Sequence, residues 1–327
     1  MAKEIWVFAE LNHGSIASVT GELLAKSQRI ASEMDGYCIA AVVAAGDTED
    51  VAGKLGELGA EKVYVLEHVS LADYRCDLYG AALVGLVRRY EPEYFFMGAT
   101  GVGSELAPTT AALLQTGLAA HCIDLRWSGE RLNCMVPAFG GKVVSEIYIP
   151  NARPVMASVR PGILDAGEAE KKEPEVIMSD TSYLEDMVSG EEFLGFEPDE
   201  NMAADIETAE FVVAAGRGAS SDTAWSAVNK LASRFGGTVA YSRSFMDTGR
   251  VPDESCMIGT SGKSVRPKIL INAGISGAAQ YVCGIGKSRT VISINKTQKA
   301  AIFGHSDYGI VGDVNKILPA VLEKLNA

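Results

Sequence analysis

Phe211-Val212-Val213-Ala214-Ala215-Gly216-Arg217-Gly218 and Ile269-Leu270-Ile271-Asn272-Ala273-Gly274-Ile275-Ser276-Gly277-Ala278-Ala279-Gln280 decide how this chain is read. Each is a short, largely apolar run that breaks into glycines, as a buried parallel strand does where it feeds a turn ahead of a helix. Similar turns accompany them in order: Ser242-Arg243, Gly259-Thr260-Ser261-Gly262, Ile294-Asn295-Lys296 and Asp307-Tyr308-Gly309. Ranged along one sheet edge, such turns offer backbone amides and hydroxyls to an anion. The pattern predicts a doubly wound α/β domain with a dinucleotide-sized site.

Outward from these stretches the alternation continues. The C-terminal part predicts strands over 210–215, 238–241, 268–273 and 290–294, with helices over 222–235, 276–285 and 313–325. The first half predicts strands over 5–9, 38–44, 62–66 and 94–98, with helices over 17–34, 78–90 and 106–115. Such alternation builds a parallel sheet covered on both faces. Val19, Leu23, Ile30 and Met34 are spaced to share one face of the first helix. Past Gly117, strand-like pieces over 138–141, 143–149 and 155–159 are punctuated by Pro150, Pro154 and Pro161. They predict an antiparallel or mixed end to that sheet. The expected organisation is an N-terminal doubly wound α/β domain over 1–165, an acidic connector over 166–207 and a second α/β domain over 208–327.

At 327 residues the chain has room for about two cores. Its composition, 47% hydrophobic and 22% charged, is that of a globular protein, without the run of about 20 apolar residues that a membrane span needs. The N-terminus enters an apparent strand at once, so the chain reads as cytoplasmic and unprocessed. Residues 165–207 hold fifteen Asp or Glu against Lys171 and Lys172, which accounts for the whole formal charge of −13. The remainder is neutral and carries no basic stripe for a nucleic acid. The acidic run reads as a solvated linker, with a docking strip for a basic partner as the alternative. Six cysteines contain no C-x-x-C pair and four histidines no ligand spacing, so no metal centre is expected.

Several motifs are incomplete. Met257 and Tyr281 stand where P-loops ending at Lys263-Ser264 and Lys287-Ser288 need glycine. Gly216-Arg217-Gly218-Ala219-Ser220-Ser221 has Ser221 at the third glycine of the nicotinamide-dinucleotide fingerprint. No G-x-S-x-G elbow is present. What remains is binding chemistry. Amides at Gly216–Gly218 and Ser276–Ala278 can meet a pyrophosphate, Arg217 and Arg243 can offset its charge, and Thr260, Ser261, Gln280, Asn295 and Asp313 can address rings or ribose.

These turns, together with Val251-Pro252 and Asp307-Tyr308-Gly309-Ile310-Val311-Gly312-Asp313, closely resemble the α subunit of electron-transfer flavoprotein, the FixB family. Pro137-Ala138-Phe139-Gly140-Gly141 and Arg153-Pro154-Val155-Met156-Ala157-Ser158-Val159-Arg160-Pro161-Gly162 look like that family's N-terminal signatures. The resemblance implies a C-terminal Rossmann-like domain that holds FAD, a heterodimer with a β subunit, and electron shuttling between an acyl-CoA dehydrogenase-type flavin enzyme and an acceptor. NADH-linked flavin-based bifurcation is within its scope, and the β partner's own nucleotide, AMP or a second FAD, would largely decide it. The chain alone would catalyse no reaction.

Residue by residue, the resemblance places Arg217 and Arg243 near the flavin, with Arg243 favouring its anionic reduced forms, and Ser261 near flavin N5. Ser276, Gly277, Ala278, Ala279 and Gln280 would serve the pyrophosphate and ribityl groups, and Asn295 and Asp313 the adenosine end, with Val314 a further cofactor-binding residue. Ser242, Ile258, Gly259 and Thr260 would complete the lining. Thr260-Ser261 replaces the family's usual Gln-Thr. Tyr281 replaces a His that faces flavin O2, which predicts a different redox poise. Gly101–Pro108 lacks frequent arginines and His121 replaces a frequent acid, which touches the subunit contacts. Two other readings stand beside this one: an adenine-nucleotide-binding signalling or storage module, and a free-standing flavin oxidoreductase. The latter would need a cluster of acid, base or nucleophile that the sequence does not show.

Overall fold

Seven parallel strands form the larger sheet, in the order Glu175–Met178, Lys62–Glu67, Cys38–Ala45, Ala2–Phe8, Pro92–Gly98, Val155–Val159 and Leu118–Cys122. This computed structural model describes all residues except 1, 13, 140–142, 165, 166, 168, 196–205, 208, 253, 287 and 327. The chain divides into two compact units, the first built from Met1–Pro137 and Val144–Phe196, the second from Ala138–Val143 and Glu197–Ala327.

In the first unit the strand period of two sends neighbouring side chains to opposite faces. Ile5 and Val7 join the core that also buries Val19, Leu23 and Ile30 of helix Ser18–Ser32. Trp6 and Phe8 join the opposite core, with Leu83 and Val87 of helix Cys76–Tyr90 and Leu106 of helix Gly101–Leu114.

Two expectations are corrected here. The end of the large sheet is not antiparallel: Val155–Val159 runs parallel to Pro92–Gly98, and Leu118–Cys122 parallel to Val155–Val159. The antiparallel pairing belongs to a separate small sheet, where Asp124–Trp127 meets Leu132–Ala138. Proline punctuation marks strand ends but does not give strand direction, because direction depends on where the intervening chain crosses.

The acidic run is also not a free linker where it is described. Glu175–Met178 completes the edge of the large sheet, with Val176 opposite Val63 and Met178 opposite Val65. Leu184 is fully buried, and the Asp77 carboxylate accepts hydrogen bonds from Ser189 Oγ at 2.9 Å and Gly190 N–H at 2.8 Å. Partial burial opposes ionisation of Asp77, yet these hydrogen bonds, with one from Leu78 N–H, hold its carboxyl below the usual range. A four-residue strand within an acidic run is invisible to a charge count. Residues 196–205 of the connector, and Gly140 and Gly141 of the resemblance, lie outside the described residues.

In the second unit five parallel strands run in the order Thr238–Tyr241, Phe211–Ala215, Ile269–Ala273, Val291–Asn295 and Tyr308–Val311. The segment Asp307–Gly309, expected as a turn, thus supplies the start of a fifth, edge strand. Val212, Val213, Ala214 and Leu270 are fully buried in the core that also takes Ala224, Val228 and Leu231 of helix Asp222–Arg234, which Ser221 caps by accepting the Ala224 N–H at 3.1 Å. In chain order the strands lie second, first, third, fourth, fifth. Strand order reverses between Phe211–Ala215 and Ile269–Ala273, and the carboxyl ends of that pair flank the crevice where open α/β sheets bind ligands.

Candidate functional site

Both strands at the reversal end in glycine because the two turns lie backbone against backbone. A Cβ on Gly216 would come within 2.4 Å of Gly274 O, and Gly274 holds φ +70°, where its own Cβ would meet Gly218 Cα at 2.8 Å. Only glycine fits there. This contact uses up amides that the sequence reading left for a ligand. Gly216 N–H donates to Ala273 O at 2.8 Å and Gly218 N–H to Gly274 O at 3.3 Å. At the third-strand turn the situation is reversed. Among the described residues, the amides of Ser276, Gly277 and Ala278 donate to no protein acceptor. Ser221, at the position of the missing third glycine, is a helix cap rather than a defect.

Two cavities of about 360 and 310 Å³ share Ser244 and Ser276 and form one elongated cleft over this edge. The first is lined by Arg217, Asn295, Lys296, Asp313 and Val314, and the second by Ser242, Arg243, Asp247, Ile258–Ser261, Ala278, Gln280 and Tyr281. Fourteen of the sixteen residues singled out from the sequence therefore border it, and Gly277 and Ala279 are not among its lining residues. Ser244, Asp247, Lys296 and Asn315 are polar residues of the border that had not been singled out. Lys296 was visible beside Asn295, but Ser244 and Asp247 come to the cleft only through the short helix Arg243–Met246.

The polar groups differ in what they still offer. Asn295 Nδ2 donates to Ile275 O at 2.7 Å and its Oδ1 accepts from Thr297 N–H at 2.9 Å. Its first task is to hold the turn, leaving one N–H and one lone pair for a ligand. Asp313 Oδ1 accepts from Asn315 N–H and Nδ2 at 2.9 and 2.8 Å. The backbone hydrogen bond from Asn315, then its side chain, holds the Asp313 carboxyl below the usual range. Oδ2 remains as an acceptor suited to ribose hydroxyls. Thr260 is latched to Gln280 O through its N–H at 2.9 Å and its hydroxyl at 3.3 Å, with Cys283 Sγ 3.1 Å from the same hydroxyl. That latch fixes the loop carrying Ser261.

Models of two families match the chain: the electron transfer flavoprotein domain over residues 5–181 and the electron transfer flavoprotein FAD-binding domain over residues 205–286. The electron transfer flavoprotein subunit alpha of Clostridium acetobutylicum is 37% identical over 334 residues, covering 99% of this chain and 97% of that protein. The same subunit of Thermoanaerobacterium thermosaccharolyticum is 35% identical over 326 residues, covering 99% and 98%. The chain belongs to the electron transfer flavoprotein alpha-subunit family. The acryloyl-CoA reductase electron transfer subunit beta of Anaerotignum propionicum is also similar, 32% identical over 352 residues, covering 99% and 95%.

FAD is accordingly the cofactor of the second unit, and the cleft fits it. A dinucleotide needs an elongated crevice, unpaired turn amides for its pyrophosphate and cations to offset the charge. Ser276–Ala278 supply the amides, and Arg217, Arg243 and Lys296 the cations.

Tyr281 borders the cleft, and its hydroxyl donates to Asn272 Oδ1 at 2.5 Å inside the core. The chain of bonds continues from Asn272 Nδ2 to Ser293 Oγ at 3.0 Å, and Ser306 Oγ donates to Ser293 Oγ at 2.7 Å. Burial pushes the Tyr281 phenol well above its ordinary range, so it stays protonated and serves as a donor. A fully buried amide in strand Ile269–Ala273 needs a partner, and the ring of Tyr281 is long enough to supply one.

Proposed function

We propose that this chain is the FAD-holding subunit of a heterodimer and passes electrons between a flavin dehydrogenase of the acyl-CoA type and an acceptor. The observation that carries the reading is the cleft at the strand reversal, where Ser276 and Ala278, whose amides have no protein acceptor among the described residues, share the lining with cations and hydroxyls. The names of relatives supply the partners: one is an acryloyl-CoA reductase electron transfer subunit, and others are electron transfer flavoprotein subunits.

FAD, when bound, supplies the electron-accepting ring. The chain's own part is to hold and orient it. Ser276–Ala278 amides, Arg217 and Lys296 take the pyrophosphate, Asp313 Oδ2 takes ribose hydroxyls, and Val314 backs the adenine end. Ile258–Ser261, with Ser242 and Arg243, line the other cavity and would hold the ring. Among the described residues lining the cleft there is no histidine, cysteine or glutamate, and Asp247 is held in an ion pair with Arg243, which suits a carrier better than a free-standing oxidoreductase.

The test is purification of this chain together with its β subunit. A yellow heterodimer with the visible spectrum of FAD supports the reading. A colourless protein retaining AMP or ATP would replace it with a nucleotide-binding module that carries no electrons. Flavin counted per heterodimer then sorts the acceptor: one flavin fits a simple shuttle, two fit NADH-linked bifurcation with the second flavin on the partner.

A further inference from the structure

Arg243 borders the half of the cleft closed by Ile258–Ser261, and it is not an isolated charge. Its Nε lies 3.3 Å from Asp247 Oδ1 and its Nη1 3.0 Å from Glu254 Oε1. All three side chains are more than half exposed, so the pairs add little to folding. Their consequence is electrostatic. A guanidinium with two carboxylates carries a net single negative charge, and Asp247 itself lines the cleft. An arginine alone would draw an anionic ligand, whereas this trio holds back much of that pull.

The fold places both carboxylates. Asp247 follows Arg243 by four residues, one turn along, and its N–H donates to Arg243 O at 3.0 Å. Glu254 comes from the loop ahead of Met257, where its carbonyl accepts the Met257 N–H at 3.0 Å. Two of the five guanidinium N–H groups are thus occupied. Among the described residues the other three have no acceptor, so the fork can keep its clasp and still meet a ligand.

We propose that Glu254 and Asp247 are positioning residues of the FAD site: they aim the Arg243 fork and offset its charge, so that the trio sets the field at the cofactor. This role rests on reading the cleft as the FAD site. Both carboxylates work through Arg243, and Glu254, which does not border the cleft, is the cleaner one to alter.

The experiment uses the full chain co-purified with its β subunit and charged with FAD, following FAD release on dilution and the midpoint potential. Glu254→Gln should slow FAD release about two- to fivefold at low salt, the scale of one exposed ion pair, and raise the potential. At about 1 M salt the difference should vanish. In an Arg243→Ala background the same change should shift release and potential by less than half as much. Equal effects with and without Arg243 overturn the proposal. So does a change in melting temperature with potential and release unmoved, which would mark Glu254 as structural only. Unaltered heterodimer without FAD would overturn the reading of the cleft itself, and the tuning role with it.

Discussion

Both units are doubly wound parallel sheets with a strand-order reversal beside their first strand, yet the described residues at the two reversals differ in chemistry. In the second unit the turns after Ala215 and Ala273 pack glycine on glycine, and the amides beyond Ile275 have no protein partner among the described residues. In the first, the loops after Phe8 and Gly98 close on themselves. Buried Glu10 accepts from the Thr100 hydroxyl, and Thr100 Oγ1 accepts the Gly103 N–H at 2.9 Å as the cap of helix Gly101–Leu114. A carboxylate sits where an anionic ligand would need donors. Topology provides a crevice in both units, and side-chain chemistry decides whether it is used.

The sharpest way to break this contrast is to add one methyl group to each unit. Gly274→Ala should cost about 2–4 kcal/mol, combining a left-handed backbone with overpacking against Gly218, and the heterodimer should lose its FAD. Gly101→Ala in the first unit has open space around it and should stay within about 0.5 kcal/mol of the unaltered chain. Thermal unfolding with flavin content read on the same samples checks both. Equal losses at the two sites would mean that close backbone approach does not distinguish the crevices.

Next in size is Tyr281→Phe. It leaves Asn272 Oδ1 buried without its donor, for a cost of about 1–3 kcal/mol in urea unfolding. The flavin spectrum and potential should barely move, because the phenol points into the core. A large shift in potential with stability intact would return Tyr281 to the flavin.

Asp77 tests whether the acidic segment belongs to the first unit. Its folded carboxyl is held low, so its contribution is present above the ordinary carboxylate range and lost as pH falls through the lowered folded value. Limited proteolysis of the 179–195 stretch should therefore quicken as pH falls. In Asp77→Asn cleavage should be fast at every pH, and slow, pH-independent cleavage in that variant would break the assignment.

The smallest effect belongs to Glu10, where the sign is opposite. Burial, only partly offset by the Thr100 hydrogen bond, raises its carboxyl above the ordinary 4.5. The folded state then binds the proton more tightly, so stability is full below the ordinary value and declines as pH rises through the raised one. Glu10→Gln should flatten that decline in urea unfolding between pH 4 and 7. An unchanged slope would show that Glu10 titrates as an ordinary surface acid.

Much of this was legible in the chain itself. Val212–Ala215 and Ile269–Ala273 are apolar enough to read as buried strands, and the glycines after them can only be turns. Glu175–Met178 was not legible, because four residues within an acidic run form a strand only when Lys62–Glu67 offers an edge. The direction of Val155–Val159 was hidden for the same reason: pairing is decided by a partner 61 residues away in sequence, as Val155 opposite Tyr94 shows. Tyr281 shows the limit within a motif. Its position beside the cleft follows from local order, but its hydroxyl follows Asn272 of strand Ile269–Ala273.

The order of strands, turns and charges along the chain therefore determined the family, the α/β class and the segments that border the cleft, since each rests on residues close in sequence. Only the tertiary structure decided which donors remain for FAD. Gly216 and Gly218 spend their amides on Ala273 and Gly274, Ser276–Ala278 do not, and Arg243 meets two carboxylates. A hydrogen bond is satisfied by whatever lies within about 3 Å, and sheet order, rather than sequence order, brings those partners together.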